Sequence, residues 1–62
     1  MNIDKTKFYK VMKYTTNGET NYGKMRGADV KSTIEKCKCE YDSFFGMFYN
    51  KDGSVGFKIY EV

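Results

Sequence analysis

Apolar and polar positions alternate along the C-terminal third of the chain, Phe44 to Val62, and this alternation predicts a β-hairpin closed around Asn50-Lys51-Asp52-Gly53. In one register, a three-residue loop places Gly53 in the left-handed conformation and pairs Asn50 with Ser54. The apolar pairs on one side of this hairpin are Phe45 with Ile59, Met47 with Phe57, and Tyr49 with Val55. We favour this register because the alternative, a two-residue Asp52-Gly53 turn, sets Met47 opposite Lys58.

The opposite side of this predicted hairpin has no core partner of its own. It carries Phe44, Phe48, Lys58 and Tyr60, with Gly46 and Gly56 between them. Because exposed aromatic side chains of this kind generally mark an interaction site, we expect this side to be covered by a partner.

A second alternating stretch lies near the N-terminus, where Phe8 to Thr16 and Glu19 to Arg26 flank Asn17-Gly18. Asn-Gly is typical of a type I′ hairpin turn, which pairs Thr16 with Glu19. One side then carries Phe8, Lys10, Met12, Tyr14, Asn21, Gly23 and Met25, and the other carries Tyr9, Val11, Lys13, Tyr22, Lys24 and Arg26. The first set is the more apolar, so we expect it to face the core.

Between the hairpins, the region Gly27 to Tyr41 has the periodicity of an amphipathic helix. Its apolar stripe consists of Val30, Ile34, Cys37 and Tyr41. Asp29, or a capping box of Ser32 and Glu35, would begin the helix. On this helix Cys37 is expected to be buried and Cys39 to be partly exposed.

These elements predict a single α+β domain over residues 1–62, with the order β-β-α-β-β. One helix covers one face of a mainly antiparallel four-stranded sheet. A chain of this size buries only about 60% of the surface that it exposes when unfolded. Its free energy of unfolding is therefore expected to be small, and self-association through the second face of the sheet is one way to increase it.

The second face is the candidate binding site, and it combines aromatic with basic side chains. The predicted partner-binding residues are Tyr9, Lys13, Tyr22, Lys24, Arg26, Phe44, Phe48, Lys58 and Tyr60. Aromatic residues, methionine and arginine are enriched at protein interfaces.

Several chemistries are disfavoured by residue content. The chain has no histidine, so the commonest general base is absent, and no glycine-rich phosphate loop follows a strand. Cys37 and Cys39 are two ligands short of a structural zinc site, and their spacing on a helix opposes a disulfide. We therefore expect a protein that is not an enzyme and that holds no metal or cofactor.

The net charge of +3 permits contact with nucleic acid or an acidic protein without requiring either. There is no apolar run of about 20 residues and no N-terminal signal peptide, which favours a cytoplasmic protein with no membrane partner. Lys, Asn, Tyr, Phe and Ile make up nearly half of the chain, a bias typical of AT-rich coding sequence. This bias favours a bacterial or phage origin.

Three functional hypotheses follow from the candidate face. The first is a small protein-binding module, in its most specific version a bacterial or phage-encoded inhibitor or accessory regulator. The second is a single-stranded nucleic-acid binder in which aromatic rings stack on bases and Lys or Arg contact phosphates. The third is a homodimer closed by the same face.

Overall fold

The computed structural model describes residues 2–62 as one helix packed on a five-stranded antiparallel sheet. The elements are β1 (Phe8–Thr15), β2 (Gly18–Arg26), α1 (Gly27–Lys36), β3 (Glu40–Asp42), β4 (Met47–Tyr49) and β5 (Val55–Glu61). The strand order across the sheet is β2-β1-β5-β4-β3. The predicted α+β class with a single helix is confirmed. The predicted β-β-α-β-β order with four strands is wrong, because β3 forms an additional edge strand.

The first hairpin turns one position earlier than the Asn-Gly signal predicts. Thr15 pairs with Gly18, and Thr16 and Asn17 form the connection. Among these residues only Gly18 has a positive φ, of 121°, whereas a type I′ turn needs positive φ at both of its central positions. The Thr15 hydroxyl stabilises the observed turn by accepting a hydrogen bond from the Asn17 N–H at 3.2 Å.

A β-bulge in β2 then decides which side chains face the core. Val11 pairs with Gly23 and Met12 with Asn21, which leaves Tyr22 as the extra residue. Gly23 adopts a φ of 74°, and its N–H donates to the Asn21 side chain at 2.8 Å. Beyond the bulge the pairing shifts by one residue. Met25 therefore joins Tyr9 and Val11 on the core side, and the prediction that the Phe8 set faces the core is wrong.

The second hairpin also differs from the favoured prediction. Phe48 faces Phe57 and Tyr49 faces Gly56, which is the register of the alternative in which Met47 lies opposite Lys58. The loop itself is longer than either prediction. The Asn50 N–H donates to the Val55 carbonyl at 3.0 Å, so the loop spans residues 51–54.

Side-chain hydrogen bonds hold this loop in shape. Asp52 Oδ1 accepts from the Ser54 hydroxyl at 2.7 Å and from the Ser54 N–H at 3.0 Å. These bonds, the hydroxyl first, hold the pKa of the Asp52 carboxyl below its ordinary value of 3.8. The Asn50 side chain bonds both Ser54 Oγ and the Val55 N–H. The polar side chains of the loop thus fix a register that apolar pairing alone does not.

Helix α1 follows β2 without a connecting loop and begins at Gly27. Glycine is required there because a Cβ would collide with the backbone carbonyl of Asp4, which passes directly beside it. The Gly27 N–H donates to the Lys7 carbonyl at 2.7 Å, so the N-terminal segment is tied to the start of the helix. Arg26 occupies the N-cap position without a side-chain cap, and neither Asp29 nor Ser32 caps the helix.

The helix ends at Lys36, five residues before the predicted end at Tyr41. The Cys39 N–H donates to the Ile34 carbonyl and the Lys38 N–H to the Glu35 carbonyl, each at 3.0 Å. This pair of bonds is a Schellman motif, and Lys38 takes its left-handed position with a φ of 55°. The chain then turns Cys39 inward, so the expected burial of the two cysteines is reversed: Cys39 is buried and Cys37 half-buried.

The core lies between α1 and one side of the sheet. Val30 and Ile34 of the helix are buried, as the apolar stripe predicts. The buried apolar side chains are Ile3, Tyr9, Val11, Val30, Ile34, Cys39, Phe48, Phe57 and Ile59. Complete burial of a side chain such as Phe57 or Val11 contributes about 1.5–3 kcal/mol. All of these strand residues lie on the helix side of the sheet, which leaves the other side to solvent.

Candidate functional site

The candidate site is the side of the sheet that faces away from α1, called here the open face. Cross-strand pairing places on it Phe8, Lys10, Met12, Tyr14, Glu19, Asn21, Lys24, Arg26, Glu40, Asp42, Met47, Tyr49, Lys58 and Tyr60. The helix and the buried N-terminal residue Ile3 pack on the other side. Within residues 2–62 the open face is therefore left uncovered.

One end of the open face is basic. Lys10 pairs with Lys24 on β2 and with Tyr60 on β5, and Arg26 and Lys58 lie on neighbouring rows. Among residues 2–62 the one ion pair joins Lys7 to Glu61 at 3.4 Å, and both of those side chains are exposed. The four cations of the open face thus have no carboxylate partner among the described residues.

The aromatic rings of the basic end lie against these cations. Lys24 Nζ is 4.9 Å and the Arg26 guanidinium carbon 4.6 Å from the centre of the Phe8 ring. Lys58 Nζ is 5.5 Å from the centre of the Tyr60 ring. Such cation–π contacts stabilise by about 0.5–1 kcal/mol at exposed sites. They hold the charged groups over rings that remain 39% and 41% exposed.

The other end of the open face is acidic. Glu19 pairs with Tyr14, Tyr14 with Gly56, Gly56 with Tyr49, and Tyr49 with Glu40. This row crosses all five strands and has a carboxylate at each edge. Asp42 follows one row closer to the centre. Positive and negative groups are therefore segregated along the direction of the strands, except that Lys58 and Asp42 share the central row.

Two methionines and a tyrosine occupy the middle of the open face. Met12 of β1 pairs with Lys58 of β5, and Met47 lies on β4, the strand next to β5. The Tyr49 ring packs directly over Gly56, where an added Cβ would be 2.9 Å from a ring carbon. The Tyr49 hydroxyl lies 3.4 Å from the Met47 sulfur. Gly56 thus creates space for an aromatic ring that lies flat on the sheet.

The structure brings together only part of the predicted binding set. Lys24, Arg26, Lys58 and Tyr60 lie on the open face.

Tyr9 and Phe48 do not, since they are 2% and 8% exposed and form part of the core. Lys13 and Tyr22 lie on the helix side of the sheet, because Lys13 pairs with the buried Phe57 and the Tyr22 ring is 6.3 Å from the Phe57 ring. Tyr9 and Lys13 are both odd-numbered residues of β1, and this side of β1 faces the helix, opposite to the prediction.

Phe44 lies in the turn between β3 and β4, not in a strand as predicted. Asp42 organises this turn by accepting hydrogen bonds from the Phe44 N–H at 2.9 Å and the Gly46 N–H at 2.8 Å. Phe44 is 86% exposed, and its ring meets that of Phe45 edge-on at 4.9 Å. Phe45, predicted to face inward, is 62% exposed and lies 6.0 Å from Tyr49. The turn therefore extends the apolar area of the open face.

Several open-face residues were missed, and one sequence signal points to those of the first hairpin. The missed aromatic, methionine and lysine residues are Phe8, Lys10, Met12, Tyr14, Met47 and Tyr49. A glycine within a strand often marks a bulge, and Gly23 has that position. A bulge at Gly23 is what puts Phe8 on the same side as Lys24 and Arg26.

Of the two cysteines, Cys39 is buried in surroundings that disfavour a reactive thiolate. Burial raises the pKa of the Cys39 thiol above its ordinary value, which disfavours the nucleophilic thiolate. Its Sγ lies 3.9 Å from the Val55 carbonyl and 3.8 Å from the Cys37 carbonyl. Across residues 2–62, no three Cys, Asp or Glu side chains converge in a way that could hold a metal ion.

No helix within residues 2–62 has the length and apolar character needed to span a bilayer. Comparison of the chain with protein-family models, with curated proteins and with solved structures finds no match.

Proposed function

We propose that this protein is a small non-catalytic protein-binding module that uses the open face as its binding surface. The observation that carries the proposal is the uncovered sheet side on which Lys10, Lys24, Arg26 and Lys58 have no carboxylate partner among residues 2–62. Unpaired cations beside half-exposed aromatic rings favour a partner surface that supplies carboxylates and apolar contacts. An inhibitor or accessory regulator is the specific version of this role that the sequence favours.

The contents of the open face favour protein over nucleic acid. Glu19, Glu40 and Asp42 share the face and would repel phosphates. Met12 and Met47 lie near its centre, and methionine adapts well to irregular protein surfaces. The Phe8 ring is already in contact with two cations, which leaves less of it free to stack on a base.

One observation favours a second candidate, a single-stranded nucleic-acid binder. Phe8 and Tyr60 are partly exposed on a sheet next to four cations, and such rings can stack on bases while the cations contact phosphates. The two candidates differ in whether the aromatic rings add binding energy toward an anionic polymer.

Two polyanions of matched charge separate the candidates. Fluorescence anisotropy would follow binding of labelled poly-glutamate and labelled oligothymidylate at low and moderate salt, with protein concentrations kept low. The variants are Lys10→Glu/Lys24→Glu, which removes cations, and Tyr60→Ser, which removes a ring. We expect both polymers to bind weakly and similarly, because attraction to the cations dominates at low salt. The double variant should lose binding to both, and Tyr60→Ser should retain it.

Two results would overturn the protein-binding proposal. One is oligothymidylate binding about tenfold or more tighter than poly-glutamate, with Tyr60→Ser removing the difference, since stacking is worth about 1–3 kcal/mol per base. The other is the absence of poly-glutamate binding even at low salt, which would show that the open face does not attract carboxylates.

A further inference from the structure

We infer that the partner of the open face is a second copy of this chain, packed face to face. This inference rests on the proposed protein-binding function and names its partner. The open face carries both the cations that need carboxylates and the carboxylates themselves, at opposite ends of the strands. A surface that bears both halves of a charge pattern can complement itself across a two-fold axis.

The arrangement of the charges fits such an axis. A two-fold axis that lies between two facing sheets and runs perpendicular to the strands reverses the strand direction. The basic end of one copy then lies over the acidic end of the other. Each strand then lies over the same strand of the other copy, so opposite charges meet on β2, where Lys24 of each copy comes to Glu19 of the other, and the contact occurs twice.

The centre of the face suits the same packing. Met12 lies on β1, next to the central strand β5, and would meet its own symmetry mate or a close neighbour. Tyr14 and Tyr49 lie on either side of Gly56 in the same row, and the Tyr49 ring covers the glycine. Half-buried apolar side chains there become more buried when the two faces meet. This stabilises the dimer by about 25 cal/mol per Å² of apolar surface removed from water.

The size of the face sets the strength of the dimer. Five strands spaced about 4.8 Å apart, with a typical length of about 20 Å, give a flat projection on the order of 500 Å². Standard interfaces bury about 800 Å² per partner, so almost the whole face must be used. The dimer is therefore expected to be weak, with dissociation in the micromolar range or above, and its test must extend to near-millimolar protein.

Sedimentation equilibrium over that concentration range tests the inference through paired charge reversals. Lys10→Glu/Lys24→Glu replaces two of the four cations of the face with carboxylates, and Glu19→Lys/Glu40→Lys replaces two of its three carboxylates with cations. Each variant alone should lose affinity for itself by about tenfold or more, because positions 24 and 19 of facing copies then carry like charges. An equimolar mixture of the two variants should restore the dimer. Circular dichroism verifies that each variant is folded.

A matched control separates the open face from net charge. Lys5→Glu/Lys36→Glu makes the same change in net charge at two exposed lysines, neither of which lies on the open face. This variant should dimerise as the wild type does. A Tyr60→Ser variant, which leaves the charges intact, should weaken the dimer, since it removes a half-exposed ring from the contact.

Two outcomes would overturn the inference. A wild-type protein that remains monomeric to near-millimolar concentration has no second copy as its partner. A dimer that survives both charge reversals uses another surface. Neither outcome contradicts the protein-binding proposal, which is judged by the two polyanions. Conversely, a stacking preference for oligothymidylate would remove that proposal whatever the state of association.

Discussion

Phe44 and Phe48 are the same residue type four positions apart, and their surroundings are opposite. Phe48 packs against Phe57 across the β4–β5 pairing, and its ring centre is 5.1 Å from that of Tyr41. Phe44 projects from the β3–β4 turn into solvent. The register of the second hairpin turns Phe48 toward the helix, because a slip of one residue would exchange the two sides of β4, and the β3–β4 turn takes Phe44 out of the sheet.

Replacement of each phenylalanine by serine measures that difference directly. Phe48→Ser should lower the free energy of unfolding by about 3–5 kcal/mol, since it removes a buried ring and leaves a cavity. Phe44→Ser, the matched control, should change it by less than about 0.5 kcal/mol. Urea denaturation followed by circular dichroism at low protein concentration gives both values. Equal losses in the two variants, or a larger loss for Phe44→Ser, would contradict the register.

At the scale of elements, the end of α1 shows a local conflict between sequence and structure. A Schellman motif usually has glycine at its left-handed position, and here that position is Lys38. A side chain with a Cβ in this conformation costs about 1 kcal/mol. The turn is retained because it directs Cys39 into the core and starts β3.

Lys38→Gly should therefore stabilise the protein by about 0.5–1 kcal/mol, because glycine adopts the left-handed conformation without strain. Lys38→Ala is the matched control, since it removes the same charge and long side chain but keeps the Cβ. It should bring no comparable gain. Thermal denaturation of the two variants tests this, and equal stabilisation by alanine would show that the lysine charge, not its backbone conformation, is responsible.

The sequence predicts those elements whose signal is local and repeated. The spacing of Val30 and Ile34 predicts the buried stripe of α1, and alternation predicts both hairpins. The end of α1 is not predicted, because the position that usually holds glycine at the end of a helix is occupied here by Lys38. The sides on which the last residues of β2 lie are also not predicted. The one extra residue, Tyr22, exchanges the two sides for the part of β2 that follows it.

The candidate face was affected in the same way. An aromatic and basic uncovered face was predicted, and the structure has one. The residues on this face differ from those predicted, because the registers of both hairpins determine which residues lie on it. The apolar matching that favoured the wrong hairpin register ignored Gly56, whose missing side chain makes room for the Tyr49 ring on the open face. A pattern of apolar residues does not show that a glycine makes room for an aromatic ring on the exposed side of a sheet.

At the scale of the whole molecule, one helix protects only half of the sheet. The chain has a core of nine buried apolar side chains among residues 2–62, all on the helix side or beside it. The other side combines two charged ends with an apolar centre. A partner that covers the open face would bury apolar surface that a chain of this length otherwise leaves exposed. The stability of the fold is thereby linked to its proposed role in binding.

Methionine methyl NMR tests this central claim most directly, because the chain has internal reporters on both sides of the sheet. Met12 and Met47 lie on the open face, and Met25 packs against the core. With labelled methionine methyl groups, raising the protein concentration should shift the Met12 and Met47 signals and leave that of Met25 unchanged. Lys10→Glu/Lys24→Glu should abolish the shifts. Signals of Met12 and Met47 that do not move up to near-millimolar concentration, or a shift confined to Met25, would contradict the account.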